Sequence, residues 1–308
     1  MNDALGARYG YASPVDQLLS LGDLREQPRY DYLSLGLRPE DVPALIRLAG
    51  DDALWQADGD ETEVWAPVHA WRALGELRAE EAIGPLVALL SKPDREDYAD
   101  WLDEELPDVF AQLGPAAVQP LAVYLRAPGH SRWARVTAAT SLGRIAKAVP
   151  ETRGMAVTAL HDLLEDNVGR KRPPSDEEET LNGFVISELI TLQATETAPT
   201  IARAFAGDRV DESIAGDLED VQIALGLRTQ RDTPARNYFL DSFGPTVDAP
   251  FVVGDELPDD EPESPDSFVD LPPLPPPGSA IRRVTVERKA KSKRKMAQQS
   301  RKQNRKKK

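Results

Sequence analysis

The stretch Trp65–Leu90 carries two oily stripes, each too narrow to support an isolated helix, and this restricts the chain to stacked helices. Val64, Val68, Trp71, Ala73, Leu74 and Leu77 recur at steps of three and four, which places them on one helical face. The polar corner Arg78-Ala79-Glu80-Glu81 interrupts the run, and its two glutamates suit the start of a new helix, where the dipole favours negative charge. Ile83, Leu86, Val87, Leu89 and Leu90 then form a second stripe, which Lys92-Pro93 ends. Helices this short are unstable alone and gain their stability by burying the stripe. Each pair must therefore stack on similar pairs.

Such pairs recur. The Leu-Gly mark of the first helix stands at Leu74-Gly75, Leu113-Gly114 and Leu142-Gly143, with Leu189-Ile190 as a fourth copy. The spacing is irregular and falls in the range of two-helix repeats. The second helices align as well: Leu77–Leu90 matches Leu192–Phe205, with Leu86 on Ile201 and Leu90 on Phe205.

This pattern predicts a loose leader at 1–12 and a repeat domain at 13–228. Ser13 is expected to cap a first helix bearing Val15, Leu18, Leu19 and Leu21. Arg38-Pro39-Glu40-Asp41 opens a second, ended near Gly50. Residues 98–125, 133–164 and 181–205 supply three further pairs, the run 170–179 reads as a charged loop, and 219–227 is a closing helix. Residues 229–280 read as an acidic, proline-rich, disordered linker: ten prolines lie in 245–277, and 248–280 holds nine acids and no base. Residues 281–308 read as a disordered basic tail.

The net charge of −15 hides this division. Ile281–Lys308 holds 14 Lys and Arg against the single acid Glu287, leaving the rest strongly acidic. Arg288, Lys289, Lys291, Lys293, Arg294, Lys295, Arg301, Lys302, Arg305, Lys306, Lys307 and Lys308 carry most of that positive charge. Without aromatics among them, they suit contacts to phosphates more than stacking on bases.

Cysteine is absent, which excludes disulfides, thiolate metal sites and Cys nucleophiles. No nucleophile elbow, phosphate-cradling loop or His-Glu-x-x-His pair exists. No apolar run spans a bilayer and the N-terminus has no signal-peptide pattern, so a cytoplasmic protein without membrane contact is expected. The residues at hand for gripping a partner are Trp65, His69, Trp71, Arg72, Trp133 and Arg135, though their spacing suits packing into the neighbouring repeat better than a binding niche. Asp58 and Asp60 have the spacing of two calcium ligands, but the motif's turn glycine and closing glutamate are missing. The acidic group Asp208, Asp211, Glu212, Asp217, Glu219 and Asp220 reads more readily as helix-start charge than as a metal site.

Through Ala70–Leu90 and Arg132–Gly143 the chain resembles the HEAT-repeat proteins of the phycobilisome-lyase-type group, and Trp65–His69, Leu181–Phe184 and Gly216–Leu227 are similar to bacterial members of it. The resemblance covers roughly 13–227. It implies an all-α, right-handed α-α superhelix (a HEAT-like solenoid), whose second helices, with Glu80, Glu81, Arg126 and Arg203, line a concave face. Some members attach or detach bilin pigments, but no catalytic motif of theirs can be placed on this chain. The expected function is therefore a non-enzymatic scaffold for a protein partner, with no cofactor. A bilin lyase or enzyme accessory subunit is one alternative; nucleic-acid or ribosome association through 281–308 is the other. Oligomeric state does not follow from the sequence.

Overall fold

The computed structural model describes residues 2–23, 30–55, 57, 61–92 and 95–236. Among the described residues every regular element is helical. α1 (Asn2–Tyr9) is followed by a 3-10 turn at Val15–Ser20, then by α2 (Val42–Ala49) and α3 (Asp52–Trp55). Four long pairs come next: α4 (Ala66–Glu76) with α5 (Ile83–Leu89), α6 (Arg95–Leu113) with α7 (Val118–Arg126), α8 (Arg132–Ala148) with α9 (Arg153–Val168), and α10 (Asp176–Thr191) with α11 (Ala198–Ala206). The short α12 (Glu212–Ala215) and α13 (Leu218–Ala224) follow.

The helices pack in chain order as two layers. In the first, α4 lies on α2, α6 on α4, α8 on α6, α10 on α8 and α12 on α10. In the second, α7 packs on α5, α9 on α7, α11 on α9 and α13 on α11. The core runs unbroken between the layers, and the marker leucines Leu74, Leu113, Leu142 and Leu189 all lie in it. This is the stacking that narrow stripes require, because a single hairpin has no other apolar surface against which to bury them.

The corners are built alike. α2, α5, α7, α9 and α11 are each entered through a 3-10 turn, at Pro39–Asp41, Glu80–Ala82, Pro115–Ala117, Pro150–Thr152 and Thr195–Thr197. After α4, Arg78 takes a left-handed conformation (φ 52°), the Ala79 N–H donates to Leu74 O at 3.1 Å and the Arg78 N–H to Gly75 O at 3.0 Å. After α10, Gln193 (φ 50°) does the same: Ala194 N–H donates to Leu189 O and Gln193 N–H to Ile190 O, both at 2.9 Å. These are Schellman closures, which satisfy the last carbonyls of a helix. They fall in the register in which the two segments align in sequence.

Three local expectations change. Residues 1–12, expected as a loose leader, contain α1; Tyr11 is buried, and Arg8 and Tyr9 donate to Glu63 across the chain. Ser13 caps no helix: the segment after it is the short 3-10 turn, with Pro14 before it. The charged run 170–179 is only partly a loop, because Ser175 caps α10 in a reciprocal box with Glu178. The basic tail, most of the proline-rich linker, and Asp58 and Asp60 lie outside the described residues.

Candidate functional site

The sequence-predicted partner residues occupy two kinds of place. His69 and Trp71 of α4 are inside. Trp71 is fully buried, donates from Nε1 to Ala49 O at 3.0 Å and packs on the Trp55 ring at 5.6 Å. His69 lies 2.9 Å from Gly22 O through Nε2 and 2.8 Å from the Tyr32 hydroxyl through Nδ1. A carbonyl accepts only, so Nε2 carries the proton and Nδ1 accepts from Tyr32. Burial pushes the His69 imidazole down to about 4, so it stays neutral and serves as a polar pin between α4 and the N-terminal segment.

The other four are half-buried and pair across neighbouring helices. Arg72 makes a bidentate pair with Glu105 of α6, at 2.7 and 2.8 Å. Trp65 meets Trp101 edge-on at 4.5 Å, and Trp133 meets Phe184 edge-on at 5.8 Å. Arg135 donates from Nε to Leu125 O at 2.8 Å. These contacts join α4 to α6, α8 to α10, and α8 to the end of α7.

The acidic group near the C-terminal end of the stack is matched by arginines. Arg231 donates to both Asp217 and Asp220, Arg228 pairs with Glu219, and Arg236 reaches Glu212 at 2.6 Å. The backbone N–H groups of Asp232 and Thr233 also donate to Glu219, at 3.1 Å each. These bonds hold the Glu219 carboxyl down to about 2 and strap residues 228–236 onto α13. Among the described residues no group of three or more His, Asp or Glu side chains has the geometry to hold a metal.

The outer face of the second layer is different in character. α5 (Ile83–Leu89) has no charged residue on any face, and α7 has one, Arg126, at its last position. Ile83, Leu86 and Leu89 of α5 and Val118, Leu121, Tyr124 and Leu125 of α7 point inward and are buried. What remains outside is Gly84, Pro85 and Ala88 on α5, Gln119 and Val123 on α7 ahead of Arg126, and Gly154, Met155 and Thr158 on the first turns of α9, ahead of Asp162, Glu165 and Asp166. In a chain with 29% charged residues this is an unusual surface.

Between α7 and α9 that face opens into a groove of about 370 Å³. Val118, Ala122 and Ala159 line it, and their small size or inward tilt leaves the space. Gly154 adds to it, since a Cβ there would meet nothing. Val123 and Met155 stand beside it, 60% and 54% exposed. Of the four large apolar side chains exposed among the described residues, two thus lie on one groove, which marks it as a contact surface. One end is polar: Arg126 pairs with Asp162 at 3.2 Å and with Asp166 at 2.7 Å. Arg203 of α11 reaches back to Glu165 of α9. Glu80 and Glu81 are exposed in the turn that opens α5. Sequence reasoning named Arg126 and Arg203 but missed Val123 and Met155. The readable signal was the absence of charge from all faces of α5 and most of α7.

The chain was compared with family models, curated proteins and solved structures, and nothing matched.

Proposed function

We propose that this protein is a non-enzymatic scaffold: a right-handed α-α solenoid of HEAT type that grips a protein partner on the outer face of its second helices. The observation that carries the reading is the groove between α7 and α9, apolar along most of its length and charged only at the end where Arg126 meets Asp162, with Val123 and Met155 exposed on it. The in-order packing of hairpins and the repeated 3-10 corners support the repeat architecture. A cleft with apolar walls and a few ionic groups at one end favours side chains of a partner over a free polar metabolite. The ion pairs at the polar end would fix the direction of the bound segment more than they would add affinity.

The test is affinity capture from the native cell with the full chain and with a Val123→Asp, Met155→Asp double variant. Both sites are exposed, so the variant keeps its helical signal and melting midpoint. It is expected to lose a partner that the wild-type chain recovers. Recovery of no specific partner by the wild type, or of the same partner equally by both, overturns the reading. The basic run 281–308 supports an added electrostatic contact to an acidic or phosphate-bearing partner; such binding falls steeply as salt rises and disappears when those residues are deleted.

A further inference from the structure

We propose that Thr233 is a phosphoacceptor, and that a phosphate on its hydroxyl releases the strap 228–236 from α13. This is independent of the groove.

The hydroxyl stands where added charge has most effect. One oxygen of Glu219 accepts three bonds from the strap: from the N–H groups of Asp232 and Thr233 at 3.1 Å each, and from the Thr233 hydroxyl at 3.0 Å. The other oxygen pairs with Arg228. Arg231, which bridges Asp217 and Asp220, also donates from Nη2 to the Thr233 hydroxyl at 3.2 Å. The cluster already carries an excess of acid. Glu212, Asp217, Glu219, Asp220 and Asp232 face only Arg228, Arg231 and Arg236. The bonds from the strap hold the Glu219 carboxyl down to about 2, so it is charged at any ordinary pH. Phosphorylation takes away the hydroxyl proton that Glu219 accepts and places nearly two negative charges beside that carboxylate. Like charges at such a distance repel even where water reaches them. Arg231 can turn to the phosphate only by loosening its hold on Asp217 and Asp220. Either way the strap loses a fastening.

The segment also suits a kinase, an enzyme class that reads charge and sequence beside an accessible hydroxyl. Thr233 is exposed, lies outside any helix, precedes Pro234 and follows Arg228 and Arg231. None of residues 228–236 is buried. A strap held by surface ionic contacts opens more readily than packed helices do. In the open form the Thr233 oxygen attacks the γ-phosphorus of a nucleoside triphosphate. The Oγ–P bond forms, the bond from that phosphorus to the β–γ bridging oxygen breaks, the nucleoside diphosphate leaves, and the hydroxyl proton passes to the kinase's catalytic base. The strap then cannot reclose as before. Asp217, Glu219 and Asp220 are left without their arginines, as a negative end face on the stack. Thr229 is exposed on the same segment, but among the described residues its side chain bonds to no carboxylate, which makes it the control position.

The test uses the full-length protein with phosphothreonine installed at position 233 or at 229. Amide hydrogen exchange is read across 228–236 and referred to free peptides of the same sequence and phosphate. Phosphate at 233 is expected to speed exchange of the Asp232 and Thr233 amides by more than about twenty-fold. Thr233→Val, which deletes a single hydrogen bond, is expected to speed it by about five-fold or less, and phosphate at 229 to leave it unchanged. Equal exchange in the 233-phosphorylated and unmodified chains, or an equal rise in Thr233→Val, overturns the release. Protein isolated from the native cell with phosphatase inhibitors present is expected to carry phosphate on Thr233, located by fragment-ion mass spectrometry. Its absence from every growth condition sampled overturns Thr233 as the acceptor.

Discussion

At the residue scale the structure turns on a few buried polar groups and two close helix approaches. His69 is neutral because burial keeps water from the ring, which outweighs the opposing pull of its hydrogen bond to Gly22 O, while Nδ1 accepts from Tyr32. Its folded-state value, about 4, lies below the ordinary 6.5, so protonation favours the unfolded chain. The stability His69 confers is complete above about 6.5 and is lost as pH falls through 4, by about 3 kcal/mol at most. Urea titrations from pH 7 to 4 should therefore show a shallower decline for His69→Gln than for the wild type, though the variant starts lower. Glu188 of α10 works the other way. Its carboxylate lies over Gly143 of α8, where burial pushes it up to about 7 against the pull of Thr140, Arg144 and Lys147. Its cost is absent below the ordinary value of 4.5 and grows as pH rises through 7. Glu188→Gln is expected to stabilise by about 1–3 kcal/mol near pH 8 and by much less near pH 5. Gly143→Ala drives a methyl into that carboxylate and should cost about 1–3 kcal/mol, and Glu188→Ala in the same chain should recover most of it. Gln112 lies over Gly75 in the same way, 2.6 Å from where a Cβ would be, so the Leu-Gly mark of the first helices is in two repeats a seat for a polar side chain of the next.

At the element scale the repeated unit is a corner as much as a helix. Arg78 and Gln193 hold the left-handed position of a Schellman closure, where glycine has no steric penalty. Arg78→Gly and Gln193→Gly are each expected to raise stability by about 0.5–1 kcal/mol, measured by chemical denaturation, because relief of that strain exceeds glycine's entropic cost. The second helices are tied by side chains as well as by packing. Arg126 links α7 to α9, and Arg203 links α11 to α9. These exposed pairs set direction and register more than stability.

For the whole molecule, the two ends are finished differently from the middle. The N-terminal segment closes one end: Arg8 of α1 pairs with Glu63, and Tyr11 just after α1 is buried. The strap at 228–236 closes the other, with Arg231 placed between Asp217 and Asp220. Arg231→Ala leaves two carboxylates facing each other at the start of α13, and the melting midpoint should drop by a few degrees. High salt should narrow the difference from the wild type, because the strap is ionic and half-exposed.

Periodicity settled most of the helices and their pairing before any coordinates. Apolar residues at steps of three and four leave few alternatives, and stripes of that width need partners on both sides. The corner alignment of Leu77–Leu90 with Leu192–Phe205 was legible for the same reason, since both segments bury the same positions. The sequence did not reveal α1, the capping of α10 by Ser175, or the strap, because each is held by polar contacts between residues far apart or in an unpatterned run. Nor did it reveal the groove. Val123 and Met155 read as ordinary helix residues until packing turned their neighbours inward, and only the gap between α7 and α9 brings them to one place. Local pattern fixes which face of a helix must be covered; tertiary packing alone decides which remaining surface stays open.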